Sequence, residues 1–207
     1  MKQYAGIDLS GPSNTKDTSL AIFEGSDTHL TFVQLLEGVT DEEIYERFQD
    51  KKETFIGMDA PLSYQPGGGD RPSDRSLRRR IVKAGMRSSS IMTPTMTRMV
   101  YLTLRGISLS RGLGHAHIVE VHPGAAIGLR APHLEAVLGY KTNMELREEL
   151  KTFLESEGVI GIPNKALKSS HSFDACLAAY AAWKWQQGKS KFLYQAEPPF
   201  HPFDLSC

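Results

Sequence analysis

At 207 residues and 40% hydrophobic composition the chain is long enough to bury a core of its own, and its 24 basic and 24 acidic side chains balance. Two distant cysteines give neither a disulfide framework nor a metal motif. No apolar run is long enough for a membrane span or a signal h-region, so the default expectation is a cytoplasmic protein with no membrane partner. The zero total hides an asymmetry: Arg71 to Arg111 carries ten Lys or Arg against Asp74 alone, about +9, and the remainder about −9. Such a run suits phosphates, although for any single arginine a solvated helix face explains it as well.

In chain order, three strand-like runs come first: Gln3 to Asp8, Ser19 to Phe23 and His29 to Leu36, with the breakers SGPSN and EGSD between them. Links this short favour an antiparallel meander. Thr40 and Glu43 then read as a capping box, opening a helix of about three turns to roughly Lys51. ETFIGMDAPLS is a second strand that ends on an acid, Asp59, and is stopped by Pro61. A crossover helix normally makes the strands it joins parallel, so Asp59 comes to a sheet edge. With the first strand as neighbour, Asp8 and Asp59 project from adjacent C-terminal ends, where ligands sit in open α/β sheets.

Residues 63–111 form a basic insertion: a Gly/Pro/Ser/Arg-rich loop, a short helix near Asp74 to Lys83, then a helix from near Pro94 to Ser110 with Met99, Val100, Leu104 and Ile107 on one side. A short strand, His117 to Val121, carries Glu120, and its alternation turns Glu120 away from the side of Val119 and Val121. Thr142 and Glu145 suggest a second capping box, for a helix to about Glu157. The last strong element is HSFDACLAAYAAWKWQQG, capped by Ser170 or Ser172, with His171 and Asp174 at its N-terminal end. The tail FLYQAEPPFHPFDLSC is too broken by proline for a helix. With no repeat or linker in view, 1–207 is expected to be one domain.

Acids therefore fall at the ends of the first and fourth strands and at the start of the last helix. Hard cations want several oxygen ligands and rarely find them in one short segment, so acids converging from separate elements are what an Mg²⁺ site needs. Each acid also has a plainer explanation. Asp8 could cap the following turn, and Asp174 could be a first-turn acid favoured by the helix dipole.

GIDLSG, IGMDAPLS, GDRPSDRSLRRR, RGISL, VEVHPGAA and SHSFDACLAAYAA, in that order over residues 4–185, resemble the family called domain of unknown function four-two-nine, described as predicted nucleases of ribonuclease-H-like fold. The resemblance implies an α/β, ribonuclease-H-like fold: a mixed five-stranded sheet, of a three-strand antiparallel meander plus two parallel strands, with helices on both faces and a helical insertion. It implies Asp8, Asp59 and Asp174 as ligands of one or two Mg²⁺ or Mn²⁺ ions. His171-x-x-Asp174 also resembles the His-x-x-Asp of Holliday-junction resolvases, and i, i+3 spacing puts both on one helix face. Two departures stand out. Ribonuclease H enzymes place a Glu on the first helix, where Glu43 and Glu46 here have cap and surface roles, and resolvases more often carry Glu in the fourth strand.

The expectation is a metal-dependent nuclease that hydrolyses phosphodiesters of DNA or RNA. Asp8, Asp59, Asp174, His171 and Glu120 are its candidate catalytic residues, and Arg71, Arg75, Arg78 and Arg79 would bring phosphates toward the acids. A resolvase-like role would call for a homodimer. Two rivals are a catalytically silent nucleic-acid-binding or interaction module of the same fold, and a sugar or acetate kinase, whose first strand also ends GID but which needs two such lobes.

Overall fold

The computed structural model describes all residues except Pro12, Ser13 and His115, and the backbone alone of Thr15. Pro12 and Ser13 belong to the breaker string after the first strand, so that turn lies partly outside the described residues. The chain builds one mixed sheet from β1 (Lys2–Asp8), β2 (Ser19–Gly25), β3 (Leu30–Glu37), β4 (Thr54–Asp59), β5 (His117–Val121), β6 (Val159–Ile160), β7 (Leu193–Tyr194) and β8 (Leu205–Ser206). The order is β6-β3-β2-β1-β4-β5-β8-β7. The meander β1-β2-β3 is antiparallel, and β4 lies parallel to β1 with Asp8 opposite Asp59.

The sheet has eight strands, not five. Three of them are two-residue additions, and two of those come from the proline-broken tail: β8 pairs parallel with β5, and β7 runs antiparallel to β8. Strands of two residues carry no periodicity from which they could be read.

Helices cover both faces. On one, α1 (Asp41–Phe48) and α3 (Met99–Gly112) bury Ile44, Phe48, Leu109 and Leu113 against Ala5, Ile7, Ile56 and Met58. On the other, α7 (Ser170–Gln186) lies on the sheet beneath α4 (Pro123–Gly128), α5 (Leu134–Gly139) and α6 (Met144–Ser156), with α2 (Pro72–Lys83) adding Leu77 and Ile81. Sandwiched in this way, α7 is buried on almost every side from Ser172 to Lys184. Among the described residues no helix is long and apolar enough to cross a membrane.

Several local expectations change. The Thr40/Glu43 capping box forms, with Thr40 N donating to Glu43 Oε2 at 2.8 Å, but α1 stops at Phe48. Helix α6 is capped by the Asn143 side chain, not by Thr142, and α7 by Ser169, one residue before the two candidate serines. Helix α3 begins only at Met99, after Thr97 in the left-handed region at φ 48°. Its buried face is Thr103, Arg105, Gly106, Leu109 and Ser110, while Leu104 from the expected apolar stripe faces solvent. That face carries Arg105, bonded to Ser10 and Thr18, an anchor that hydrophobic spacing does not report.

The period of two along a strand gives the sheet its functional polarity. In Gly6-Ile7-Asp8 and Gly57-Met58-Asp59 the central residue enters the α1/α3 core, so the glycine and the aspartate of each face α7. The glycines let the helix in. A Cβ on Gly6 would lie 1.9 Å from the Ala175 carbonyl oxygen, and one on Gly57 2.2 Å from that of Ala178. Two residues on, the aspartates emerge beside the N-terminus of α7. Gly6→Ala is therefore expected to cost at least about 2 kcal/mol, since even ordinary overpacking costs about 1–3 kcal/mol. A thermal melt should show Tm lowered by roughly 4 °C or more.

Candidate active site

Asp8 and Asp59 end neighbouring parallel strands on the same face, and α7 carries His171 and Asp174 to the same point. His171 Nδ1 lies 2.6 Å from Asp8 Oδ2. Asp174, 1% exposed, has both carboxylate oxygens occupied: Tyr140 OH donates to Oδ1 at 2.7 Å, and the Lys141 ammonium donates to Oδ2. Asp59 is half-buried beside the other acid, Asp8.

The electrostatics follow from this crowding. Burial, then the charge of Asp8, holds the Asp59 carboxyl well above the usual carboxylate range, with Asp174 adding to the rise and Lys141 opposing it. Burial raises Asp174 to about 6 despite its Lys141 partner. The hydrogen bond to Asp8 raises His171.

Of the site residues named from the sequence, Asp8, Asp59, Asp174 and His171 are brought together. Glu120 lines the same cleft as Asp8 and Asp59 but from the strand face of Ile118, opposite to theirs, and is buried there in a bidentate pair with Arg71, whose Nη1 reaches Oε2 at 2.7 Å. It also accepts from Leu62 N at 2.8 Å. Arg71 itself is 3% exposed and also binds Asp74 and Ser63, so it is closed to a phosphate outside. Together Arg71 and Glu120 clamp Ala60-Pro61-Leu62-Ser63, the segment that leaves Asp59. Arg78 is tied to Asp70, while Arg75 and Arg79 stay exposed on the outer side of α2.

Of three residues around the site, sequence reasoning gave Arg105 little weight and missed Tyr140 and Lys141. Arg105 donates to Ser10 O at 2.6 Å, Thr18 Oγ1 at 2.8 Å and Asp41 Oδ1 at 2.7 Å, fixing the turn that follows Asp8. A lone arginine within a helical run gives little signal of that. Tyr140 and Lys141 come from the α5–α6 connection, more than thirty residues before Asp174, and no local pattern marks them.

Beside the acids opens a cleft of about 160 Å³, lined by Asp8, Asp59 and the Arg71–Glu120 pair and, among others, by Ile91 and Met92. His122 on its wall is structural: Nδ1 caps Ala125 N at 3.0 Å, Nε2 meets Ser90 O at 2.8 Å, and burial lowers its pKa. Glu43 on the first helix is held in its capping box.

A divalent ion is implied by the sequence pattern, and the donor set tests it. Among the described residues no three of His, Cys, Asp and Glu form a ready cage. Asp8 and Asp59 remain, hard oxygen donors with a surplus of negative charge, and Mg²⁺ is usually bound through one or two carboxylates plus water and substrate phosphates. The residues fit such an ion.

The family model described as "Protein of unknown function (DUF429)" matches residues 6–198. No curated protein and no solved structure matches the chain.

Two outcomes are expected for stability. Asp59→Asn should raise it at neutral pH by about 1–2 kcal/mol, a fraction of the roughly 4 kcal/mol by which unit charges 4 Å apart repel at an effective dielectric of 20. Because the folded carboxyl binds its proton more tightly than the unfolded one, wild-type stability falls as pH rises above the unfolded value near 4 and through the folded value. The advantage of Asn should therefore vanish near pH 4 and grow toward pH 8 in denaturant titrations. Arg71→Met, which leaves Asp74 and Glu120 buried without their cation, should cost about 3–5 kcal/mol in the same assay.

Proposed function

The chain belongs to the DUF429 family, and from the geometry at its sheet edge we propose that it is a ribonuclease-H-like, metal-dependent nuclease that hydrolyses nucleic-acid phosphodiesters. The observation that carries this reading is the pairing of Asp8 with Asp59 at adjacent parallel strand ends, under a helix whose first turn brings His171 and Asp174 to them. Independent capping roles predict no such convergence. The central order β3-β2-β1-β4-β5, with an antiparallel meander and a parallel fourth strand, supports the fold. So does α7 lying across β1 and β4.

Asp8 and Asp59 would hold Mg²⁺ or Mn²⁺, which when bound supplies Lewis acidity toward the phosphoryl oxygen and the attacking water. The chain's own residues do the rest. Asp8 is oriented by His171 Nδ1, which leaves the other ring nitrogen of a half-exposed imidazole to meet a phosphate oxygen or to pass a proton to the leaving oxygen. Arg105 and the Arg71–Glu120 pair immobilise the segments that leave the two aspartates, so the carboxylates are fixed before substrate arrives. The exposed Arg75 and Arg79 would steer the polyanion, making binding salt-dependent. Arg71 has no part in that surface.

The test is cleavage of labelled single- and double-stranded DNA and RNA, an RNA–DNA hybrid and a four-way junction in Mn²⁺. Asp8→Asn and Asp59→Asn are expected to reduce cutting by about 10²-fold or more. Arg79→Ala should weaken binding across substrates and lower the salt slope by about 1. Binding of the panel with no cleavage under any metal would favour the silent interaction module.

A further inference from the structure

Lys141 is the unexplained charge of this site. It stands in the α5–α6 connection, where Thr142 N and Asn143 N both bond Gly139 O at 3.1 Å. The buried Arg147 binds the carbonyls of Tyr140 and, at 2.6 Å, Leu167. Tyr140 is itself buried, its hydroxyl on Asp174 and its ring 5.3 Å from the Lys141 ammonium. The backbone on both sides of Lys141 is thus held, and its ammonium is delivered to Asp174 although the side chain is 54% exposed. A surface lysine with no task would keep its rotamer freedom in water.

We propose that Lys141 is the permanent second cation of this site, so that the acid cluster takes one divalent ion, across Asp8 and Asp59, rather than two. The inference rests on the nuclease reading and specifies its metal count. A two-ion site needs a carboxylate set able to hold both ions about 4 Å apart, with several oxygens for each. Here Asp174 has no oxygen free of a protein donor, and one oxygen of Asp8 is taken by His171. The other oxygen of Asp8 and the carboxylate of Asp59 remain, enough for one ion completed by water and phosphate.

The experiment counts Mn²⁺ bound to the full chain without nucleic acid, by calorimetry and by electron paramagnetic resonance of the unbound ion. Wild type and Lys141→Arg should each take up one ion, and Asp59→Asn none. Lys141→Met should bind a second, as Asp174 is released to act as a ligand. Lys141→Gln, which keeps a hydrogen-bond donor but not the charge, should do the same and serves if the Met variant does not fold. Two ions in the wild type, or one in both neutral variants, would overturn the assignment of Lys141 and leave the nuclease reading standing. No ion in any variant, at millimolar Mn²⁺, would overturn both.

Discussion

Two carboxylates forced side by side are the constraint from which the other features of this structure take their purpose. Parallel pairing of β1 with β4 sets Asp8 opposite Asp59, on one face, at the edge where both strands end. Like charges so close, and partly removed from water, are costly, and the surrounding groups divide into those that offset the cost and those that keep it in place. His171 and Lys141 offset it, one on Asp8 and the other on Asp174. Gly6, Gly57, Arg105 and the Arg71–Glu120 pair keep it in place. Without the glycines α7 would stand off the sheet, and without the arginines the turns beyond the aspartates would be free to swing the acids apart.

That division explains why the sequence motifs are spread along the chain. GIDLSG and RGISL meet through Arg105, which ties the turn after Asp8 to α3. IGMDAPLS, GDRPSDRS and VEVHPG meet through Arg71, Glu120 and Leu62, which do the same after Asp59. SHSFDACLAA supplies both the acid that Lys141 binds and the small residues that let α7 approach the strands. Arg71 and Glu120 line the cleft beside the segment they fix, whereas Arg105 acts from outside it.

Local periodicity and connection rules made the aspartate pair partly legible in the sequence. The helix between β3 and β4 implied that β4 runs parallel to one of the first three strands, the family resemblance made that strand β1, and i, i+3 spacing placed His171 with Asp174. Alternation along β5 told that Glu120 faces away from its valine neighbours, but not that a buried arginine from α2 waits there. The charge run of 71–111 looked like one basic surface, whereas two of its arginines, Arg71 and Arg105, are interior cross-links. Tyr140 and Lys141 reach the site through the packing of the α4–α6 layer on α7, contacts that have no local signature. The same holds for β7 and β8, which form because the tail finds the open edge of β5.

If Asp8 and Asp59 are set against each other in order to share a cation, that cation should be visible between them. Crystals grown with Mn²⁺ would show it, through anomalous difference density collected at the manganese edge. One peak is expected, within ligand distance of both carboxylates and apart from the Lys141 ammonium. Density beside Asp174 with Lys141 displaced, or well-ordered carboxylates with no manganese between them, would contradict the shared-cation site.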